Sequence, residues 1–221
     1  MDTSLVLDFL TQLKLNNNRE WFQDNKKLYE AAKKELEGFV TEMITTISAL
    51  DPSVQTPAMK DCMFRIYRDV RFGADKSPYK TNMGAFIAKG GRKSSFPGYY
   101  FHFEPGECML AGGVYQPEPD TLKLLRNEVY FRSAELKAII EKPSFKKHFD
   151  QLGDFDKMKK APKDFPADFP DIDLLKYRSY IVSGNISDKI VTSGNYQKHI
   201  MEMLAEMQPF MGFLNRAISN G

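Results

Sequence analysis

The chain has 221 residues, and its 31 Lys+Arg against 29 Asp+Glu leave a formal charge of only +2. With 42% hydrophobic and 13% aromatic residues it can bury a large core, since a domain of this size removes about 70% of its unfolded surface from water. That excludes a disordered chain and, as a bulk property, a basic nucleic-acid carrier.

Two cysteines, Cys62 and Cys108, are too few and too far apart for a disulfide framework or a paired-thiol metal site, so a reduced, cytoplasmic setting is expected. The opening Met1-Asp2-Thr3-Ser4-Leu5 lacks the basic n-region of a secretory signal, and no run of about 18 apolar residues offers a membrane span. One domain covering residues 1–221 is the expectation.

In chain order, Ser4 caps a first short helix through Leu13, and Asn16-Asn17-Asn18 supplies a break and a second cap. A long helix follows to about residue 50. Its apolar stripe is Trp21, Leu28, Ala32, Leu36, Phe39, Met43, Ile47 and Leu50, at three- and four-residue steps. After Asp51-Pro52 the pattern changes to alternation in 64–72. Phe64, Ile66, Val70 and Phe72 fall on one face, Arg65, Tyr67, Asp69 and Arg71 on the other, and Arg68 is the misfit on the apolar side. Residues 83–89 read as another strand, and 99–103 with 108–115 as a hairpin turning at Glu104-Pro105-Gly106-Glu107.

Helix returns from Asp120, and a short one is predicted at 144–152. The stretch 153–170 contains two Phe-Pro pairs and reads as an extended loop pinned by its phenylalanines. A short helix at 171–176, a strand near 178–182 and a terminal helix bearing Ile200, Leu204, Met207, Met211, Leu214 and Ile218 complete the chain, with a kink predicted at Pro209. The fold class expected is α+β: a mainly antiparallel sheet of about five or six strands, one face covered by the long N-terminal helix and the C-terminal helix.

The charge is unevenly placed. Residues 60–93 hold nine basic and three acidic side chains, a net +6, which leaves −4 for the rest. Arginine forks bind phosphate or carboxylate, a tyrosine hydroxyl adds a directional bond, and an aspartate orients an arginine or holds a cation. The candidate ligand-binding residues are therefore Arg65, Tyr67, Arg68, Asp69, Arg71, Lys76, Tyr79 and Lys80. The same composition would also serve an Arg/Asp network with no ligand.

His102 shares a hairpin face with Tyr100 and Glu104. If that face meets the basic strand, His102 is the candidate general base or acid, with Asp69 beside it; a purely structural histidine is the alternative. His148 and His199 read as single surface residues, and no His/Cys/Asp/Glu spacing marks a metal site. The glycine pairs 90–91 and 112–113 lack a phosphate-loop context, and no cofactor is indicated.

Several motifs together resemble one family. Asn16-Asn17-Asn18-Arg19-Glu20-Trp21-Phe22, the Arg65 to Thr81 block, Gly98-Tyr99-Tyr100-Phe101-His102 with Ala111-Gly112-Gly113-Val114-Tyr115, and Asp173-Leu174-Leu175-Lys176-Tyr177 are similar, in order, to the bacterial proteins grouped as domain of unknown function 2461. The resemblance implies a single cytoplasmic domain and brings no reaction or ligand with it. One departure is Asp168-Phe169-Pro170, where similar sequences carry His before the Pro.

Three functions are weighed. The first is binding of an anionic small molecule. The second is nucleic-acid binding, with Lys76, Lys80, Lys89, Arg92 and Lys93 on phosphates and Tyr79, Phe96, Tyr99 and Tyr100 stacking bases. The third is a scaffold or interaction protein with an exposed Met/Phe patch on the last helix.

Overall fold

A computed structural model describes residues 1–69, 71 and 76–220. Helix α1 runs Thr3–Leu15, and its N-cap is Asp2 rather than Ser4: Asp2 Oδ1 accepts from the Leu5 N–H at 3.0 Å. The following helical stretch is two helices, α2 (Arg19–Asp24) and α3 (Lys26–Leu50), hinged at Asn25. Asn18 caps α2 through the Trp21 N–H at 2.9 Å. One turn, α4 (Met59–Cys62), precedes the sheet.

Among the described residues the sheet has four strands, not five or six: β1 (Met83–Ala88), β2 (Gly98–Phe103), β3 (Met109–Val114) and β4 (Tyr180–Asn185), antiparallel in the order β1-β2-β3-β4. The expected strand at 64–72 accounts for part of the difference. Met63 bridges Ala85 and the Phe64 N–H reaches Gly84 O at 3.1 Å, after which the chain leaves the edge of β1. It then pairs with 78–80 instead: Tyr67 bridges Tyr79, Arg68 N–H donates to Pro78 O and Lys80 N–H to Ile66 O. Ile66 is buried, but Phe64 is exposed, so the apolar face read from the sequence does not stay on one side. Val70 and Phe72 lie outside the described residues.

After β3 come α5 (Pro119–Ile140), α6 (Pro143–Lys146), α7 (Asp188–Val191) and α8 (Tyr196–Ser219). Helix α6 is a single turn where a longer one was predicted. Residue Arg132 leaves helical dihedrals inside α5. Helix α8 continues across Pro209, and Ala205, whose carbonyl loses its helical donor there, is exposed. The loop before β4 is pinned as predicted, with Phe165 and Phe169 packed on Tyr130 of α5.

Alternation gives the sheet two faces. Tyr99, Phe101, Phe103, Leu110, Gly112, Val182 and Gly184 point inward, under α3 and α8. Phe39 of α3 meets Phe101 and Phe103 edge-on, at 5.2 and 5.5 Å between centroids. Met207 of α8 sits where a side chain on Gly112 would be. The outer face carries Tyr100, His102, Met109, Ala111 and Ile181, all half-buried, with Ser183 and Asn185 exposed.

Candidate functional site

The basic segment is held from below. Asn17 accepts the Tyr79 N–H at 3.2 Å and donates Nδ2 to the Tyr79 carbonyl at 3.0 Å. The Tyr79 ring stacks on Phe22 of α2 at 3.9 Å, and Tyr67 leans on both. Tyr79 is thus buried as a wedge, while Tyr67 stays about half exposed. Lys76 is exposed.

Asp69 and Arg71 occupy each other. Arg71 Nε and Nη2 donate to Asp69 Oδ1 and Oδ2 at 3.0 and 2.7 Å, and these bonds, with the Arg71 backbone N–H, hold the Asp69 carboxyl below its ordinary range. An aspartate so engaged is a poor proton acceptor.

Arg65, Arg68 and Lys80 form a different group. The Lys80 ammonium lies over the Phe64 ring, 5.5 Å from its centroid. Burial and the repulsion of Arg65 and Arg68 lower its pKa. Neither Arg65 nor Lys80 has a carboxylate partner among the described residues. The pairing of 66–68 with 78–80 brings Lys80 within the influence of Arg65 and Arg68, and this proximity was not legible from the strand face assumed for Arg65, Tyr67, Asp69 and Arg71.

The same Phe64 ring meets Tyr100 edge-on at 5.9 Å, which brings the segment against β2. There the outer face carries a chain of hydrogen bonds. Tyr100 Oη lies 2.8 Å from His102 Nδ1, His102 Nε2 lies 3.2 Å from Glu104 Oε2, and Thr81 Oγ1 donates to Glu104 Oε1 at 2.8 Å. A carboxylate only accepts, so the contact to Glu104 favours the tautomer with its proton on Nε2, in which Nδ1 accepts from the Tyr100 hydroxyl. Burial and the Glu104 charge push the Tyr100 hydroxyl up to about 12. The link from Thr81 to Glu104 joins residues 23 apart and leaves no local mark in the sequence.

A family model described as "Conserved hypothetical protein (DUF2461)" matches residues 5–213. The chain belongs to the DUF2461 family. No curated protein matches it. Three of the motifs behind the resemblance meet here in this DUF2461 chain: Asn17 and Phe22 support Tyr79, the Arg65 to Thr81 block supplies the cations, and Tyr100 and His102 belong to the hydrogen-bonded chain.

Other sequence candidates take different places. Tyr99 is fully buried and gives its hydroxyl to Asp51 Oδ2 at 3.0 Å, so it cannot stack a base. Lys89 lies over Phe96, and Arg92 Nη1 donates to Lys60 O. The predicted Met/Phe patch on the last helix is absent, because Met203, Met207, Phe210, Met211 and Phe213 are core residues. His148 and His199 are not isolated; their rings lie 5.7 Å apart, and burial together with the facing His199 lowers the His148 pKa.

Among the described residues no three His, Cys, Asp or Glu side chains gather where a metal ion could sit, and no helix is long and apolar enough to cross a membrane. Two concavities lie away from the basic segment. One of about 400 Å³ flanks β4 and includes His148, Asp150, Ser183 and Asn185. The other, about 550 Å³, lies between α5 and α8, ringed by charges already paired, such as Lys142 with Glu206 and Arg216 with Glu128. The cations beside Phe64 and the hydrogen-bonded chain from Tyr100 to Thr81 carry more chemical information than those shapes, so the candidate site is placed at Phe64, Lys80 and Tyr100.

Proposed function

We propose that this protein binds a small anionic ligand, bearing phosphate or carboxylate, at the cluster formed by Arg65, Arg68 and Lys80 beside Phe64. The observation that carries the reading is the placement of the Lys80 ammonium over the Phe64 ring at 5.5 Å, on the paired segments 66–68 and 78–80 next to Arg65 and Arg68; burial and those guanidinium groups lower the Lys80 pKa accordingly. Cations held together at a desolvation cost are stabilised by an anion between them. Tyr67, Asp69, Arg71, Lys76 and Tyr79 then shape and support the segment from which the cluster projects.

Titration of the protein with inorganic phosphate and pyrophosphate, followed by amide chemical shifts, tests this. Saturable shifts are expected around 64–68 and 80–81. Arg65→Ala and Lys80→Ala each weaken binding about tenfold or more, the size of one charge-assisted hydrogen bond. Arg65 is exposed and Lys80 half-buried, so unchanged melting curves are expected for the variants. A titration that fails to saturate, or wild-type affinity in both variants, sinks the reading. Single-stranded nucleic acid is a weaker fit because two of its proposed stacking rings, Tyr79 and Tyr99, are buried.

A further inference from the structure

Tyr100, His102 and Glu104 occupy alternate positions along β2 and just past its end, so all three project to the outer face of the sheet. Two observations make them more than a strand-face ladder. The order is that of a nucleophile, a base and an orienting carboxylate: hydroxyl to Nδ1 at 2.8 Å, Nε2 to carboxylate at 3.2 Å, with the second carboxylate oxygen fixed by Thr81. The tyrosine also has small neighbours: it faces Ala111 on β3, and Gly84 on β1 stands beside it, where a Cβ would meet Phe101 O at 2.5 Å and lie 3.3 Å from Tyr100 Oη.

We infer that Tyr100 is a nucleophile, activated by His102 with Glu104 as the positioning carboxylate, and that it accepts an acyl group from an activated carboxylic ester. In the step, a bond forms between Tyr100 Oη and the carbonyl carbon, and the bond from that carbon to the alkoxide or phenoxide leaving group breaks. The Tyr100 proton passes to His102 Nδ1. Glu104, on the far nitrogen, stabilises the imidazolium that results. Water then hydrolyses the tyrosyl ester and His102 gives up its proton to solvent. A hydroxyl raised to about 12 is scarcely ionised at neutral pH, so its reaction depends on a base that takes the proton as the new bond forms. That the natural ester is anionic rests on the proposed anion cluster, which shares the Phe64 ring with Tyr100; the reactivity of Tyr100 does not.

The test is residue-resolved acetylation of the full chain by p-nitrophenyl acetate at neutral pH, read by peptide mass spectrometry, with exposed Tyr115 as the internal reference. Tyr100 is expected to acetylate at least about tenfold faster than Tyr115 in the wild type. His102→Gln should slow Tyr100 by about 10²-fold, as loss of a general base does, and leave Tyr115 unchanged. Glu104→Gln, a near-isosteric change that leaves His102 in place, should slow it by a smaller factor. Tyr100 slower than Tyr115 in the wild type, or a Tyr100 rate unaltered in both variants, overturns the assignment. Loss of phosphate binding with Tyr100 acetylation intact would overturn only the anion reading; phosphate binding with an inert Tyr100 would overturn only this one.

Discussion

Asn17 uses both ends of its amide on one peptide, that of Tyr79, and so does for the basic segment what a neighbouring strand would do. Replacing it with Ala leaves a half-buried N–H and C=O without their partner, at about 1–3 kcal/mol. The expected result for Asn17→Ala is a lower urea midpoint with an unchanged slope, whereas Asn17→Asp should be worse because a carboxylate oxygen would face the Tyr79 carbonyl. An Asn17→Ala midpoint equal to wild type would show that Phe22 alone holds Tyr79. A second residue-scale network lies in the core. Buried Asp51 accepts from the Tyr99 hydroxyl and from Ser53 Oγ, and Ser53 Oγ accepts from Asn215 Nδ2 at 2.9 Å, so the end of α3, β2 and α8 meet at one carboxylate. Contacts of this kind, 48 to 162 residues apart, have no spacing that a sequence reading can use.

Elements were more legible than contacts. The stripes of α3 and α8 and the β2–β3 hairpin follow from periods of 3.6 and 2; the centres of the stripes, Ala32 to Ile47 and Ile200 to Leu214, are buried, while Leu28, Leu50 and Ile218 at their ends are half-buried and Val40, Ile44, Met203, Phe210 and Phe213 widen the buried faces. The break at Asn25 was missed because the apolar stripe runs on through it. The stretch 64–72 misled for a physical reason: alternation indicates a half-buried extended chain but not which partner it meets, and 64–68 divides its bonds between Gly84 and the residues 78–80. Glycines test how the elements pack. Gly38 lies in exposed α3 with nothing within 4 Å of an added Cβ, so Gly38→Ala should stabilise the protein by about 0.5–1 kcal/mol through helix propensity alone. Gly112 is under α8, and a Cβ there would come 2.1 Å from Met207 Sδ, inside a fully buried layer. Gly112→Ala should destabilise by about 1–3 kcal/mol, the ordinary cost of overpacking. Opposite shifts in melting temperature check the pair, and a shift of the same sign in both would refute the account of α8 on β3.

For the whole molecule, the near-zero charge conceals a division of labour. The segment 60–93 concentrates cations at one edge of the sheet, while carboxylates elsewhere tie the outer elements together. Lys137 of α5 donates to Asp171 in the wrapping loop at 2.7 Å, and that bond, with one from Ser133, holds the Asp171 carboxyl low. Glu206 of α8 receives Lys142 and Ser144; burial alone would raise it, but those hydrogen bonds outweigh burial and lower it. Groups whose pKa is lower in the folded chain contribute stability that is complete above their unfolded values, roughly 4, and that is lost as pH falls through the folded ones. Urea midpoints should therefore decline below about pH 4, after a smaller decline that begins near the ordinary histidine pKa of about 6.5 because His148 is also lowered in the folded chain. In Asp171→Asn and Glu206→Gln the decline should be shallower, because each removes a group that takes up a proton on unfolding in acid, while the midpoint at pH 7 falls. Neither pair includes a residue of the cationic cluster. The same titration should accordingly leave phosphate-induced shifts at 64–68 in place until the protein itself unfolds, and their earlier loss would mean that the cluster depends on a carboxylate not assigned to it.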